Sequence, residues 1–494
     1  MPGKPINIIG LLLFGAFFLY LSNGRFSIAF AAWLFPIFLL QVSRNEKKIF
    51  SYLVIPLIFG ICSQLSFWKF TYSHAGNILF YIPLTGGLIY GLLFFIDHLA
   101  YSKIKGFAAT LIFPLAYTSF DFLLNLFNPF GSTGILGYSQ FEFLSFSQLA
   151  AITGMCGLTF MVTWFSSVIS WFINNDADRK SAKRGITIYL SILVLILVYG
   201  GIRLQLPLQR GTIKISALHT HDKDVEGIEM QQSLEKKDTI AFKKISNAIV
   251  QQLINTTIIE ARAGAKIIMW SEISPKILKT DEDSLALLLK TIAQQQKIYL
   301  MATPFSVVTN GSKSENKILL FSPTGELVLK HTKYGGNFME GTVEGDKTIK
   351  TVSTPYGKLS ALICWDADFP SIVKQAGKSN TDILLIPASD WKEIDPLHTI
   401  IAIFRGIENG CSVVRQTRNG LSIMTGPTGK IIAQVDHFGT GSWVMTGQVP
   451  NKKIWALYPI IGDLFGWLAI SGLAAMLLWA FRKTKKRIAF SLST

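Results

Sequence analysis

Long apolar runs fill residues 1 to about 206 and return once near the end, whereas residues 208–455 have the mixed composition of a water-soluble domain. About 20 apolar residues in a helix can cross the hydrocarbon core of a bilayer, because a helix satisfies its own backbone N–H and C=O groups there. Seven runs of that order precede the mixed stretch, at about 6–22, 26–42, 50–67, 78–98, 107–128, 145–172 and 185–202, and an eighth lies near 459–480. No clear small-residue cleavage site follows the first, and further spans come directly after it, so it reads as an uncleaved helix. Charged residues make up only 16% of the chain, against about a quarter in a soluble protein. The expectation is a multi-pass α-helical membrane domain over 1–207, an inserted α/β domain over 208–455, and a C-terminal helix with a basic tail over 456–494.

The net charge of +16 could point to nucleic acid, but its placement argues otherwise. Lys4 precedes the first span, Arg44, Lys47, Lys48, Lys103, Lys105, Arg179, Lys180, Lys183 and Arg184 fall in alternate loops between the spans, and Arg482, Lys483, Lys485, Lys486 and Arg487 follow the last one. The intervening loops carry Arg25 and Lys69. Basic loops stay in the cytoplasm, so this bias places both ends inside and residues 208–455 outside. Asp97, His98 and Asp121 lie in or near spans. Asp97 and His98 read as helix-end groups, and Asp121 as an interhelical hydrogen bond or a functional carboxylate. The uncharged Asn128–Gln140 segment reads as a connecting loop or as the lining of a lipid-accessible cavity.

The four cysteines, Cys62, Cys156, Cys364 and Cys411, form no CxxC and no His/Cys pairing with metal-ligand spacing. The expectation is no disulfide framework, no metal and no cofactor.

Within the mixed stretch, Ile213–Leu218, Lys266–Trp270, Ile298–Ala302, Lys317–Phe321 and Thr381–Pro387 read as strands. Residues 238–263, Leu285–Gln296 and His398–Asn409 read as helices, and the alternation implies a layered α/β core. The run Ala361-Leu362-Ile363-Cys364 reads as a buried strand ending on a thiol. A lone buried cysteine is usually an inert small hydrophobe. Two further sites change its reading. Glu272 follows the strand ending at Trp270, and a hairpin-like segment from Gly325 ends with Lys330 and Lys333. A carboxylate can accept a thiol proton, and a fixed ammonium can favour the thiolate and a tetrahedral oxyanion, which is what thiol acyl transfer requires.

The order Glu272, Lys333, Cys364 resembles the Glu-Lys-Cys triad of the nitrilase (carbon–nitrogen hydrolase) superfamily, and Cys364-Trp365-Asp366-Ala367-Asp368-Phe369-Pro370 resembles its nucleophile motif. Lys333 lies at the matching distance from Gly325, with Lys330 as the fallback. A nitrilase-like domain between seven helices and one more resembles the apolipoprotein N-acyltransferase family. Leu136–Gln140, Gln148–Ala150, Gly157–Phe160, Ser389-Asp390-Trp391, Phe404–Gly410 and Val414–Gly420 are similar to further segments of it. The family's apolar-Pro-Phe-Gly-Glu run after its lysine is replaced by Tyr334–Glu340, which leaves Glu340 one residue displaced, and Trp365-Asp366 stands where Tyr-Glu is common.

The resemblance implies an αββα sandwich beside eight spans in a bacterial inner membrane. It implies a Cys364 thioester formed from a phospholipid donor and passed to a diacylglyceryl-lipoprotein acceptor. Glu340, Trp365, Asp366 and Trp391 are the residues expected to orient the site or bind substrate. Two other readings stay open: a membrane-tethered amidase acting on a small substrate, and a catalytically silent scaffold.

Overall fold

A computed structural model describes residues 7–22, 24, 26–68, 78–175, 179–206, 211–220, 224–309, 311–439 and 443–491. Lys4, Arg25, Lys69 and the expected boundary at 207/208 lie outside these. The chain divides into two compact units, one of residues 1–128, 134–205 and 461–494, the other of 129–133 and 206–460.

In the first unit, five described helices are long and apolar enough to cross a membrane: Leu79–Tyr101, Phe107–Phe127, Met155–Asn174, Arg179–Gln205 and Leu464–Arg482. The expected runs at 6–22, 26–42 and 50–67 carry shorter helical segments, Ile8–Leu21, Ala29–Asn45 and Phe50–Ser66. The run expected over 145–172 is not one helix. Residues 144–153 form two single turns, and Gly154, at φ +62°, breaks the path before Met155. That left-handed backbone is open to glycine at little cost.

The two buried aspartates of this unit, Asp97 and Asp121, both have partners. Arg44 donates to both Asp97 oxygens at 2.8 and 3.0 Å, and both side chains are fully buried. Asp121 accepts from the Tyr90 hydroxyl at 2.6 Å and the Thr159 hydroxyl at 2.7 Å. These bonds tie three helices together, the structural alternative for Asp121.

The second unit holds two sheets. The first takes β1 (Thr212–Leu218), β2 (Ile267–Trp270), β3 (Lys276–Leu278), β4 (Tyr299–Ala302), β5 (Phe305–Val307), β6 (Glu315–Phe321) and β7 (Leu327–Thr332). The second takes β8 (Thr351–Thr354), β9 (Gly357–Ala361), β10 (Ile383–Ser389), β11 (Ser412–Arg418), β12 (Leu421–Thr425) and β13 (Ile431–Asp436). The chain returns to the first sheet as β14 (Val444–Pro450), antiparallel to β1.

Side chains alternate across each strand, so both faces of these strands must be covered. Ile267 and Met269 of β2 pack with Leu359 of β9, Ile383 and Leu385 of β10 and Val414 of β11 in a core between the sheets. The alternate residues Ile268 and Trp270 face helices Thr239–Arg262 and Glu282–Gln296. Leu384 and Ile386 face helices Pro370–Lys378 and Leu397–Asn409. The result is a four-layer αββα sandwich, whose strand ends carry the site.

Candidate active site

Cys364 is not the end of a strand, as its apolar run led us to expect. β9 stops at Ala361, and Cys364 opens a short 3-10 turn to Asp368 with a φ of +46°. A non-glycine residue in the left-handed region costs about 1–3 kcal/mol and persists only where its surroundings hold it. Those surroundings centre on Asp366. Its Oδ1 accepts the N–H groups of Tyr334 at 2.8 Å and Gly335 at 2.6 Å, and its Oδ2 accepts that of Ile363 at 2.9 Å and contacts His331 Nε2 at 2.7 Å. All of the bonds found for Asp366 are internal and it is fully buried, so it braces the cysteine turn against the loop after Lys333.

β6 and β7 carry the lysine in. β7 ends at Thr332, and Lys333 N donates to Asn316 O at 2.9 Å. Its Nζ donates to Glu272 Oε1 at 2.7 Å and to Glu340 Oε1 at 2.5 Å, and the side chain is 1% exposed. Lys330, by contrast, is exposed on β7. Burial opposes the charge on Lys333, but Glu272, Cys364 and Glu340 together hold its pKa above the ordinary lysine range. It is a permanent cation at the site.

Glu272 follows β2 and is equally buried. Its Oε1 also accepts from Asn316 Nδ2 at 2.7 Å, while Oε2 has no hydrogen-bond partner among the described residues. The carboxylate is thus anchored through one oxygen and open at the other. Burial raises the Cys364 thiol well above the ordinary range, the Glu272 charge adds to this, and Lys333 opposes it. The resting group is a thiol, and attack requires a base.

Glu340 reaches Lys333 from the turn Asn337–Glu340, one residue displaced yet in contact. Burial raises its pKa, against the pull of Lys333. Asn337 braces this turn by donating to Lys333 O, Thr342 Oγ1 and Val343 O. Trp365 stacks on Phe130 with centroids 5.9 Å apart, and its indole N–H donates to Phe130 O. Trp391 stands with its ring 6.1 Å from that of His398, edge to face.

Sequence reasoning missed Asn316, Asn337, His331 and His398. None carries a motif by itself, and each takes its place from strand register or helix packing. Behind the cysteine, Arg415 donates to both oxygens of Asp390 at 2.8 and 2.9 Å. Burial would raise the Asp390 pKa, but Arg415 brings it below the usual carboxylate range. One ligand atom each from Cys364, Asp390 and His398 lie within 4.8 Å of one another, a grouping that could hold a metal ion.

Residues 240–456, which include Glu272, Lys333 and Cys364, match the model of the carbon–nitrogen hydrolase family, and residues 11–168 match that of the apolipoprotein N-acyltransferase N-terminal domain. The chain belongs to the apolipoprotein N-acyltransferase family. Among members of that family, the apolipoprotein N-acyltransferase of Borreliella burgdorferi is 22% identical over 90% of this chain and 89% of its own. That of Geobacter metallireducens is 23% identical over 77% of this chain and 75% of its own. That of Pasteurella multocida is 26% identical over 74% and 73%. The apolipoprotein N-acyltransferase resemblance read from the motifs thus extends along most of the chain.

Proposed function

We propose that this protein is an acyltransferase that moves a fatty acyl chain from a membrane phospholipid, through a thioester on Cys364, to the α-amine of a diacylglyceryl-cysteine at a lipoprotein N-terminus. The observation that carries the mechanism is the buried Lys333 bridging Glu272 and Glu340, with one Glu272 oxygen left open. In the first half-reaction, Glu272 Oε2 takes the Cys364 proton and the sulfur attacks the ester carbonyl. The tetrahedral oxyanion is held by the Lys333 ammonium, and the C–O bond breaks as Glu272 returns the proton to the lysophospholipid oxygen. In the second, the amine attacks the thioester, Glu272 takes its proton, and Cys364 leaves and is reprotonated. The kinetics are ping-pong.

The five spanning-length helices support a membrane location. We extend them to eight crossings with Ile8–Leu21, Ala29–Asn45 and Phe50–Ser66, in a bacterial inner membrane with both termini cytoplasmic. The sandwich, over 208–455, then faces the periplasm, in keeping with the basic loops. Intact mass analysis after incubation with phospholipid tests the reading. An acyl adduct on Cys364 that a diacylglyceryl-cysteine peptide discharges is expected; no adduct with any phospholipid refutes it.

A further inference from the structure

The geometry points to a binding site for a thiophilic divalent cation, Zn2+ as the probe, formed by Cys364, His398 and Asp390, whose occupation ties up the nucleophile. The three residues are 4%, 3% and 4% exposed, and their sulfur, imidazole nitrogen and carboxylate oxygen lie within 4.8 Å of one another. Thiolate, imidazole and carboxylate are the ligand set of zinc, with bonds of about 2.0–2.3 Å in a tetrahedral arrangement. Ligand atoms then stand about 3.3–3.8 Å apart, so side-chain rotation of about 1 Å closes the group.

The imidazole is oriented for this. His398 Nε2 faces Asp368 Oδ2 at 3.5 Å, while Nδ1 has no hydrogen-bond partner among the described residues and lies 3.8 Å from Asp390 Oδ1. A carboxylate facing one ring nitrogen favours the proton there, which leaves the other nitrogen's lone pair for a metal. A buried ring nitrogen without a partner is a cost that an ion would remove. Arg415, bidentate on Asp390, leaves each oxygen a further lone pair but opposes added positive charge. Affinity therefore rests on the sulfur, which excludes Mg2+ and Ca2+, since these favour oxygen ligands. Binding replaces the S–H bond by an S–Zn bond and releases one proton to the buffer. The spacing of the three residues in sequence gave no metal motif; the fold brings them together.

The test uses the purified full chain in detergent and reads thiol chemistry, independently of acyl transfer. Zn2+ is expected to slow maleimide labelling of Cys364, followed by peptide mass; EDTA restores it, and Mg2+ has no effect. Co2+ is expected to give a thiolate-to-cobalt charge-transfer band in the near ultraviolet. His398→Ala and the bulkier His398→Gln are each expected to raise the half-protecting Zn2+ concentration by at least about tenfold. Absence of protection by Zn2+, or equal protection in folded His398 variants, overturns the site. Should neither variant fold, the Co2+ spectrum of the unmodified protein decides: a charge-transfer band upholds the site and its absence overturns it.

Discussion

Asp366 accepts the backbone N–H of Gly335 at 2.6 Å, which joins the turn bearing Cys364 to the loop that leaves Lys333. Two segments distant in sequence are thereby held in one register, and the lysine and thiol cannot drift apart without breaking buried bonds. Gly335 lets the two backbones approach, since a Cβ there would stand 2.8 Å from the Trp365 carbonyl carbon, and Gly336 leaves room for the Trp365 indole, which a Cβ would meet at 2.4 Å.

Asp366→Ala is therefore expected to do two things. It strands the Tyr334, Gly335 and Ile363 donors, at a stability cost of about 3 kcal/mol or more, since an unmet buried donor costs about 1–3 kcal/mol. It also loosens the Cys364 turn, so that acylation falls even at temperatures where the protein stays folded. Thermal unfolding and the rate of Cys364 adduct formation check both parts, and an unchanged acylation rate in a folded variant sinks the bracing role.

Part of the sandwich was legible: β1, β2, β4, β6 and β10 read as apolar runs of strand length, and the helix Thr239–Arg262 buries residues three or four apart, such as Phe242, Ser246, Ile249 and Leu253. The short or mixed strands β3, β5, β8 and β11–β14 carry no such signal and were not read. Glu272, Lys333 and Cys364 were legible through a motif order. Asp366 was legible as a position but not as a role, because its work lies in four bonds to residues distant in sequence or to backbone. The same holds for Asn316, which reaches Glu272 only because β6 pairs with β7 in a register that sets it beside Lys333. The Asn128–Gln140 segment read as one loop, yet Pro129–Thr133 belongs to the sandwich unit, and Leu136–Gln140 is a buried turn of the helical unit. Composition alone could not divide it.

The two lysines on the hairpin give a direct contrast. Lys330 is exposed, whereas Lys333 is buried between two carboxylates. Lys330→Ala is expected to leave Cys364 acylation unchanged. Lys333→Ala should lower it on the order of 100- to 1,000-fold, the usual consequence of losing an oxyanion donor. Because it also leaves Glu272 and Glu340 facing each other without a cation, Lys333→Ala should unfold at a lower temperature. Stopped acylation time courses of both variants settle the choice; equal loss in the two variants would reverse the assignment.

Gly131 is the point where the Pro129–Thr133 loop meets the cysteine motif. Its φ is +70°, and a Cβ there would stand 2.5 Å from Asp368 O. Ser132 N and Oγ donate to that same carbonyl at 2.7 and 2.8 Å, and the Thr133 hydroxyl donates to Asp368 Oδ2 at 3.2 Å. Gly131→Ala must move the loop, which carries Phe130 off the Trp365 ring. We expect at least about a tenfold loss in acylation from phospholipid, in line with the sensitivity of rates to small misplacements. Gly227→Ala, where a Cβ meets nothing within 4 Å, is the control and should be neutral. Equal activity of the two variants would show that the loop contact does not serve the site.

Asp395 sets a pH dependence of stability that can be isolated. Burial pushes its carboxyl up to about 6, helped by the charges of Asp390 and Asp436 and opposed by the hydrogen bond from Leu421 N at 2.7 Å. An unfolded aspartate titrates near about 3.9. The folded pKa is the higher of the two, so folding favours the protonated form. That contribution is complete below about pH 4 and is lost as the pH rises through about 6. Asp395→Asn keeps a carbonyl oxygen for Leu421 N and carries no charge at any pH. The variant is therefore expected to melt above the unmodified protein at pH 7 to 8, with the gap shrinking as the pH falls through about 6 towards 4. Melting temperatures of the two proteins in the same detergent across that range provide the check. A gap that stays constant with pH, or one that widens on acidification, contradicts the raised carboxyl.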